Sequence, residues 1–292
     1  MSFLEKLLTA SRQRNSLLCV GLDPEPEKLP EIVRGSRSIS EATIRFCQEI
    51  IGATTPYVCA YKPNLAFFEA LGPEGMVVLR EVLQAIPAGI PVIGDAKRGD
   101  IGSSAARYAT ALFEVYGFDA VTVNPYLGYD SVAPFLSYRE KGVFLLCRTS
   151  NPGARDFQDL RVLDDDGEVR ALYEVVASRT QGWNGAGNCG LVVGATYPDE
   201  LRAVRALCPN LPILVPGVGA QGGDLEAAIV AGVNARGERA IVAVSRAIMY
   251  AGKGRSYASE AGEAARQVRD RINAARTSLT AHGPANGTGA TA

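Results

Sequence analysis

The sequence predicts an α/β protein: a single (β/α)8 barrel, the TIM-barrel arrangement, with an additional N-terminal helix and a disordered C-terminal tail. Three observations lead there. Eight short apolar runs recur, each ending in Gly, Pro, Asn or a charge; segments of helical period separate them; and charged residues gather at the C-terminal ends of the runs. Strands that alternate with helices pair in parallel, and runs this apolar suit strands covered on both faces. Eight units suggest closure, and a 292-residue chain fits one barrel with little to spare.

In chain order the runs are LLCVGLD, YVCAYKPN, PVIGDAKRGD, AVTVNPYLG, VFLLCRTSN, GLVVGAT, PILVPGVG and AIVAVSR. Helical period is legible over Ile39–Ile51, Glu74–Ala85, Ser103–Val115, Leu172–Gln181, Pro198–Leu207, Asp224–Ala231 and Tyr257–Ala275. The opening MSFLEKLLTASRQRN carries Glu5 within an amphipathic pattern and lacks the apolar core of a signal peptide, so it reads as a helix of an untargeted, cytoplasmic protein. No apolar run approaches the length of a membrane span. Phe157–Arg170, FQDLRVLDDDGEVR, is an acidic insertion after the fifth run and reads as a solvated hairpin or loop rather than a site. The barrel is expected over residues 1–277, and the small, polar residues 278–292 are expected to stay disordered.

Composition narrows the partners. Lys and Arg number 30 against 31 Asp and Glu, a formal charge of −1, which leaves no footprint for nucleic acid or an anionic membrane. Six cysteines (Cys19, Cys47, Cys59, Cys147, Cys189 and Cys208) are scattered without a CxxC pair and read as buried free thiols in a reducing compartment. The single histidine, His282, falls in the tail, which argues against a histidine triad or a zinc site, and no GxGxxG follows the first run.

Active sites of these barrels are built at the C-terminal ends of the strands. Asp23 closes the first strand, Lys62 the second, and Asp95 and Lys97 the third, on neighbouring staves roughly 5 Å apart. Asp95 and Lys97 are two residues apart and leave the same face of the strand, while Asp100 lies in the turn beyond. The plain alternative is a surface turn with an incidental ion pair. Charges that terminate an apolar strand at the functional end of a barrel are costly unless paired, which favours chemistry. A second constellation joins Pro216–Asp224, PGVGAQGGD, to Ser245–Arg246. The glycines alone fit a tight turn equally well, but the loops after strands seven and eight commonly hold a phosphate, and Arg246 supplies a guanidinium fork. Asn124 and Asn151 read as turn caps, and Asn64 could serve either as a cap or as a ligand.

These motifs, taken in order as LLCVGLDP, AYKPNLAFFE, IGDAKRGDIGSS, NPYLGYDS, CRTSNPGA, VPGVGAQGGD and AVSRAIMY, resemble the orotidine 5′-phosphate decarboxylases, and their longer bacterial group in particular. The resemblance covers nearly the whole chain, and the acidic insertion departs from it. It implies a carboxy-lyase that turns orotidine 5′-phosphate into UMP in de novo pyrimidine biosynthesis, without cofactor or metal, as a homodimer with a small-molecule nucleotide substrate and no nucleic-acid or membrane partner. By the same resemblance, Asp23 and Lys62 bind ribose hydroxyls. Lys62, Asp95, Lys97 and Asp100 form a charge network, with Asp100 shared across the dimer interface beside Ile101 and Ser104. Ser150 contacts the pyrimidine, and Gln221 and Arg246 hold the phosphate. Lys97 is the expected proton donor to a carbanion-like C6. Two rival readings use the same barrel: a Mg2+-dependent 3-keto-sugar-phosphate decarboxylase or aldolase, with the D-x-K-x-x-D residues holding the metal, and a non-catalytic nucleotide-binding protein.

Overall fold

A computed structural model describes residues 1–36, 38–218 and 222–281. Its main sheet has eight parallel strands: β1 (Leu18–Leu22), β2 (Ala60–Pro63), β3 (Ile93–Arg98), β4 (Ala120–Val123), β5 (Gly142–Arg148), β6 (Cys189–Val193), β7 (Ile213–Val215) and β8 (Ala240–Val244). They pair in the order β2-β1-β8-β7-β6-β5-β4-β3. The ring closes where β2 meets β3 through the parallel bridges Tyr61↔Val92 and Asn64↔Asp95. Each of the eight expected runs matches one of these strands, with β5 and β6 starting one residue earlier, at Gly142 and Cys189. Val, Ile, Leu and Ala dominate them because both faces are covered, one by the barrel interior and the other by helices.

The apolar interior divides accordingly. One set of buried side chains, among them Val20, Val121, Leu145, Leu191 and Val242, packs outward against the helices. A smaller set fills the barrel itself: Cys19, Cys59, Ile93, Phe144, Val192, Leu214 and Ile241, closed at the N-terminal end by Phe3 and Leu7. Those two residues belong to α1 (Phe3–Arg14), which starts in a capping box between Ser2 and Glu5 and ends on Asn15 in the left-handed region at φ 43°. Phe3 meets the ring of Phe144 edge-on at 5.6 Å. Room for it comes from Gly142, where a Cβ would stand 2.4 Å from the Phe3 ring. The N-terminal helix is therefore a plug, and only the opposite end of the barrel stays open.

The helices between strands follow the periodicity closely, from Ile39–Thr54, N-capped by Ser38, to Leu225–Gly232, N-capped by Asp224. Short helices at Glu31–Arg34, Leu65–Glu69 and Arg246–Met249 add to the expected set, and two longer elements also depart from it. Tyr129–Leu136 is a helix that periodicity did not reveal, since it spans only 8 residues and contains Pro134. The last helix runs from Tyr257 to Ala281, beyond the expected end at Ala275; residues 282–292, including His282, lie outside the described residues. Within the acidic insertion, Arg161–Leu163 and Val169–Ala171 form the anticipated antiparallel hairpin. All six cysteines are buried and free. Among the described residues no helix is long and apolar enough to cross a membrane.

Removing the plug side chain tests this arrangement. Phe3→Ala should cost about 3 kcal/mol, the low end for a buried aromatic, and should lower the urea midpoint without changing the slope of the transition.

Candidate active site

The open end of the barrel holds a cavity of about 570 Å3, lined by the C-terminal ends of the strands and the loops that follow them. Asp23, Lys62, Asp95, Lys97, Ser150 and Arg246 all line it. Strand register brings the first four together: Gly21 of β1 pairs with Lys62 of β2, and Asn64, two residues on, bridges to Asp95 of β3.

At its base lies a chain of three charges. The Asp95 carboxylate accepts Lys62 Nζ on Oδ2 at 2.7 Å and Lys97 Nζ on Oδ1 at 2.5 Å. Lys62 and Asp95 side chains are only 8% and 10% exposed, whereas Lys97 at 48% reaches into the open cavity. Burial by itself would raise the Asp95 pKa, but the two ammonium groups outweigh it and hold the carboxyl well below the usual range. For Lys62, burial works against the charged form, and Asp95 and Asp23 overcome it, so its pKa rises above that of a free lysine. The sign of each shift fixes a pH window. A depressed carboxyl stabilises the fold fully above its unfolded value, near pH 4, and loses that contribution as pH falls through the folded value; a raised lysine contributes fully below its unfolded value, near pH 10, and loses it as pH rises.

Lys97 does not sit on a regular strand. Its φ is +48°, a left-handed conformation rarely adopted by side-chain-bearing residues and costing on the order of 1–3 kcal/mol. The register of β3 against β4 shifts there, between Gly94 and Arg98. The same-face argument for Asp95 and Lys97 thus reaches the correct pairing by a route that the backbone does not take. Arg98, the next residue, turns away to pair with Glu69 and to lie 5.5 Å over the ring of Tyr108.

Asp23 presents a different feature. Its Oδ1 is buried and has no hydrogen-bond partner among the described residues. A buried acceptor without a donor is costly, and in a cavity wall it suits a ligand hydroxyl. Arg246 opens the short helix Arg246–Met249 after β8. Gly21 allows that segment to approach, since a Cβ there would stand 2.8 Å from Ser245 Cβ. The Pro216–Asp224 loop is pinned at its base by the Val218↔Gly223 bridge, and Gln221 lies outside the described residues.

Asp100, Ile101 and Ser104 do not line the cavity of their own chain. The Asp100 carboxylate accepts the backbone N–H of Ile101 at 2.8 Å, and no ion pair among the described residues includes it. Ile101 is 56% exposed. Asn64 and Asn124 each cap the short turn that follows, by accepting from Ala66 and Tyr126, and Asn64 also borders the cavity.

Three contributors escaped sequence reasoning. Thr122 of β4 lies in the cavity wall and donates to Asp95 Oδ1 at 2.9 Å. Phe157 and Gln158, from the start of the acidic insertion, line the cavity too, so that segment is part of the site as well as a solvated hairpin. Gln158 is held by the N–H of Thr149 at 2.8 Å, and Asp159 forms an ion pair at 2.9 Å with Arg148, whose side chain is wholly buried. An Asp paired with a charge at the end of a strand was the available signal, and spacing along the chain does not expose it.

A cavity at the C-terminal end of a (β/α)8 barrel, floored by alternating ammonium and carboxylate groups, defines a barrel enzyme of the lysine–aspartate type. Residues 16–261 match the family model described as the orotidine 5′-phosphate decarboxylase / HUMPS family, and the chain belongs to that family. It is 52% identical over 278 residues to the orotidine 5′-phosphate decarboxylase of Azoarcus sp. (strain BH72), covering 94% of this chain and 100% of the relative. With the orotidine 5′-phosphate decarboxylase of Dehalococcoides mccartyi (strain ATCC BAA-2266 / KCTC 15142 / 195) it shares 50% identity over 273 residues, 94% of this chain and 98% of the relative. The solved structure of Leishmania donovani OMP decarboxylase superposes with a TM-score of 0.82 at 44% identity, over 95% of this chain and 100% of that one.

Neutralising the central carboxylate should expose its structural share. Asp95→Asn leaves Lys62 buried without its counter-charge and is expected to lower stability by about 3 kcal/mol. In urea titrations across pH, the gap from wild type should hold between about pH 5 and 9 and shrink below about pH 4.

Proposed function

We propose that this chain is a carboxy-lyase of pyrimidine biosynthesis that converts orotidine 5′-phosphate to UMP. The observation that carries this reading is the Lys62–Asp95–Lys97 array, buried at one end and open to the cavity at the other. Breaking the bond from C6 to the carboxylate carbon releases CO2 and leaves the electron pair on C6. The Lys97 ammonium, held at 2.5 Å from Asp95, stabilises that charge as it develops and then supplies the proton to C6. Asp95 lies against the substrate carboxylate; two like charges about 4 Å apart repel by roughly 4 kcal/mol at an effective dielectric of 20, and departing CO2 relieves it. The balance closes with no cofactor. A divalent cation would have to displace ammonium groups that already occupy both Asp95 oxygens, which is why the metal-dependent rival fits this site poorly.

The remaining roles follow the cavity wall. Asp23, with its unpartnered Oδ1, and Lys62 take ribose hydroxyls, Ser150 takes the pyrimidine, and Arg246, with Gln221, grips the phosphate. Binding energy from that remote phosphate helps to organise the charged site. Asp100, Ile101 and Ser104 serve the neighbouring site of a homodimer, the partner subunit's Asp100 completing the array beside Lys97. Exposed apolar side chains on that loop–helix unit, Ile101 and Tyr108, and on the one that follows β4, Tyr126, Leu127 and Tyr129, support such an interface. The six buried thiols suit a cytoplasmic enzyme.

The direct test is the loss of orotidine 5′-phosphate absorbance with purified protein, with and without EDTA. Turnover should resist the chelator and vanish in Lys97→Ala; well-folded wild type without turnover would sink the reading. Arg246→Ala should lose at least about 100-fold in kcat/KM, and full activity there would remove the phosphate assignment. For the shared site, inactive Lys97→Ala and Asp100→Ala proteins mixed after unfolding and refolding should recover about a quarter of wild-type activity, because half the dimers are hybrids with one intact site.

A further inference from the structure

The hydroxyl of Thr122 sits at the one point where the backbone of β3 leaves its ladder. Gly94 pairs with Val121 and Arg98 with Val123, so a step of four residues in β3 faces a step of two in β4. The extra residues form a bulge, and Lys97 occupies it with φ +48°. A bulge deprives backbone N–H groups of their ladder partners. That of Lys97 is recovered by Thr122, whose Oγ1 accepts it at 3.0 Å. The single hydroxyl hydrogen then goes to Asp95 Oδ1 at 2.9 Å, the same oxygen that receives the Lys97 ammonium. Thr122 itself is 1% exposed.

We propose that Thr122 is a positioning residue for the reaction: one buried hydroxyl fixes both ends of the Asp95–Lys97 pair, holding the lysine's backbone in its left-handed turn and the carboxylate in the rotamer that splits its oxygens between two lysines. A hydroxyl is suited to this because it donates once and accepts as well, so it can link an N–H to a carboxylate within a single side chain. Valine has the same shape and can do neither. Without the link, the backbone of Lys97 is free to relax toward the ordinary strand, which carries Nζ away from C6, and Asp95 loses the contact that orders its oxygens. The effect falls on the chemical step, where a displacement of about 1 Å costs on the order of 100-fold. Substrate affinity rests mainly on the ribose and phosphate groups, which Thr122 does not touch. This inference rests on Lys97 being the proton donor.

The experiment compares Thr122→Val, Thr122→Ser and Lys97→Ala with wild type, measuring kcat and KM for orotidine 5′-phosphate and the dissociation constant for UMP. Thr122→Val should lose about 10- to 100-fold in kcat, with KM and UMP binding within about threefold of wild type, and Thr122→Ser, which keeps the hydroxyl, should recover kcat to within about threefold. If Thr122→Val folds poorly, Thr122→Ala is read by the same assays. Wild-type kcat in the valine variant overturns the proposal, as does a serine variant no better than valine, or a parallel loss of UMP binding, either of which would mark a packing role. Inactive Lys97→Ala beside fully active Thr122→Val would sink the positioning role alone; active Lys97→Ala would remove the donor reading beneath it.

Discussion

Asp95 is withdrawn from water yet carries a full negative charge, and in a low-dielectric wall that state survives only while cations and donors surround it. Lys62 supplies one cation from the neighbouring strand and Lys97 the other from its own, with the Thr122 hydroxyl as a third contact. Each partner is in turn constrained by Asp95. Lys62 keeps its charge in a buried position because the carboxylate is there, and Lys97 points inward because its ammonium has a fixed counter-charge. The strained backbone at Lys97, the bulge in β3 and the choice of threonine on β4 can all be understood as ways of keeping this carboxylate satisfied while one ammonium remains exposed to a ligand.

The barrel makes that possible by being asymmetric along its axis. At the N-terminal end Phe3 and Leu7 seal the interior with aliphatic and aromatic surface, and the layers above are apolar up to Leu214 and Ile241. The polar side chains that line the cavity stand toward the C-terminal ends of the strands and in the loops, and strand register sets which of those on strands meet. Strands thus carry Lys62 and Asp95, the loop after β5 carries Ser150 and Gln158, and the short helix after β8 carries Arg246.

Much of this was legible in the residues. Apolar runs closed by turn-forming or charged residues located all eight strands, and the rule that barrel sites form at strand ends selected Asp23, Lys62, Asp95 and Lys97 from 61 charged side chains. What escaped depended on register or on distant contacts. Thr122 looks like any β-branched strand residue until the slip of β3 against β4 sets its hydroxyl opposite an unpaired N–H. The left-handed turn at Lys97 has no glycine or asparagine to announce it. Gln158 and Phe157 sit in a segment whose acidity suggests solvent, and their place in the cavity wall follows from anchors at Thr149 and Arg148. Tyr129–Leu136 was hidden by its proline and its brevity.

Those anchors make the hairpin hard to treat as an ornament. The Arg148 guanidinium is wholly buried, lies 3.8 Å over the ring of Tyr197, and has Asp159 of the insertion as its ion-pair partner. Shortening the insertion through Asp159 would leave the Arg148 cation in the barrel wall without its ion-pair partner. A chimaera that removes the segment carrying Asp159 without replacing Arg148 inherits a buried, uncompensated charge rather than a trimmed loop.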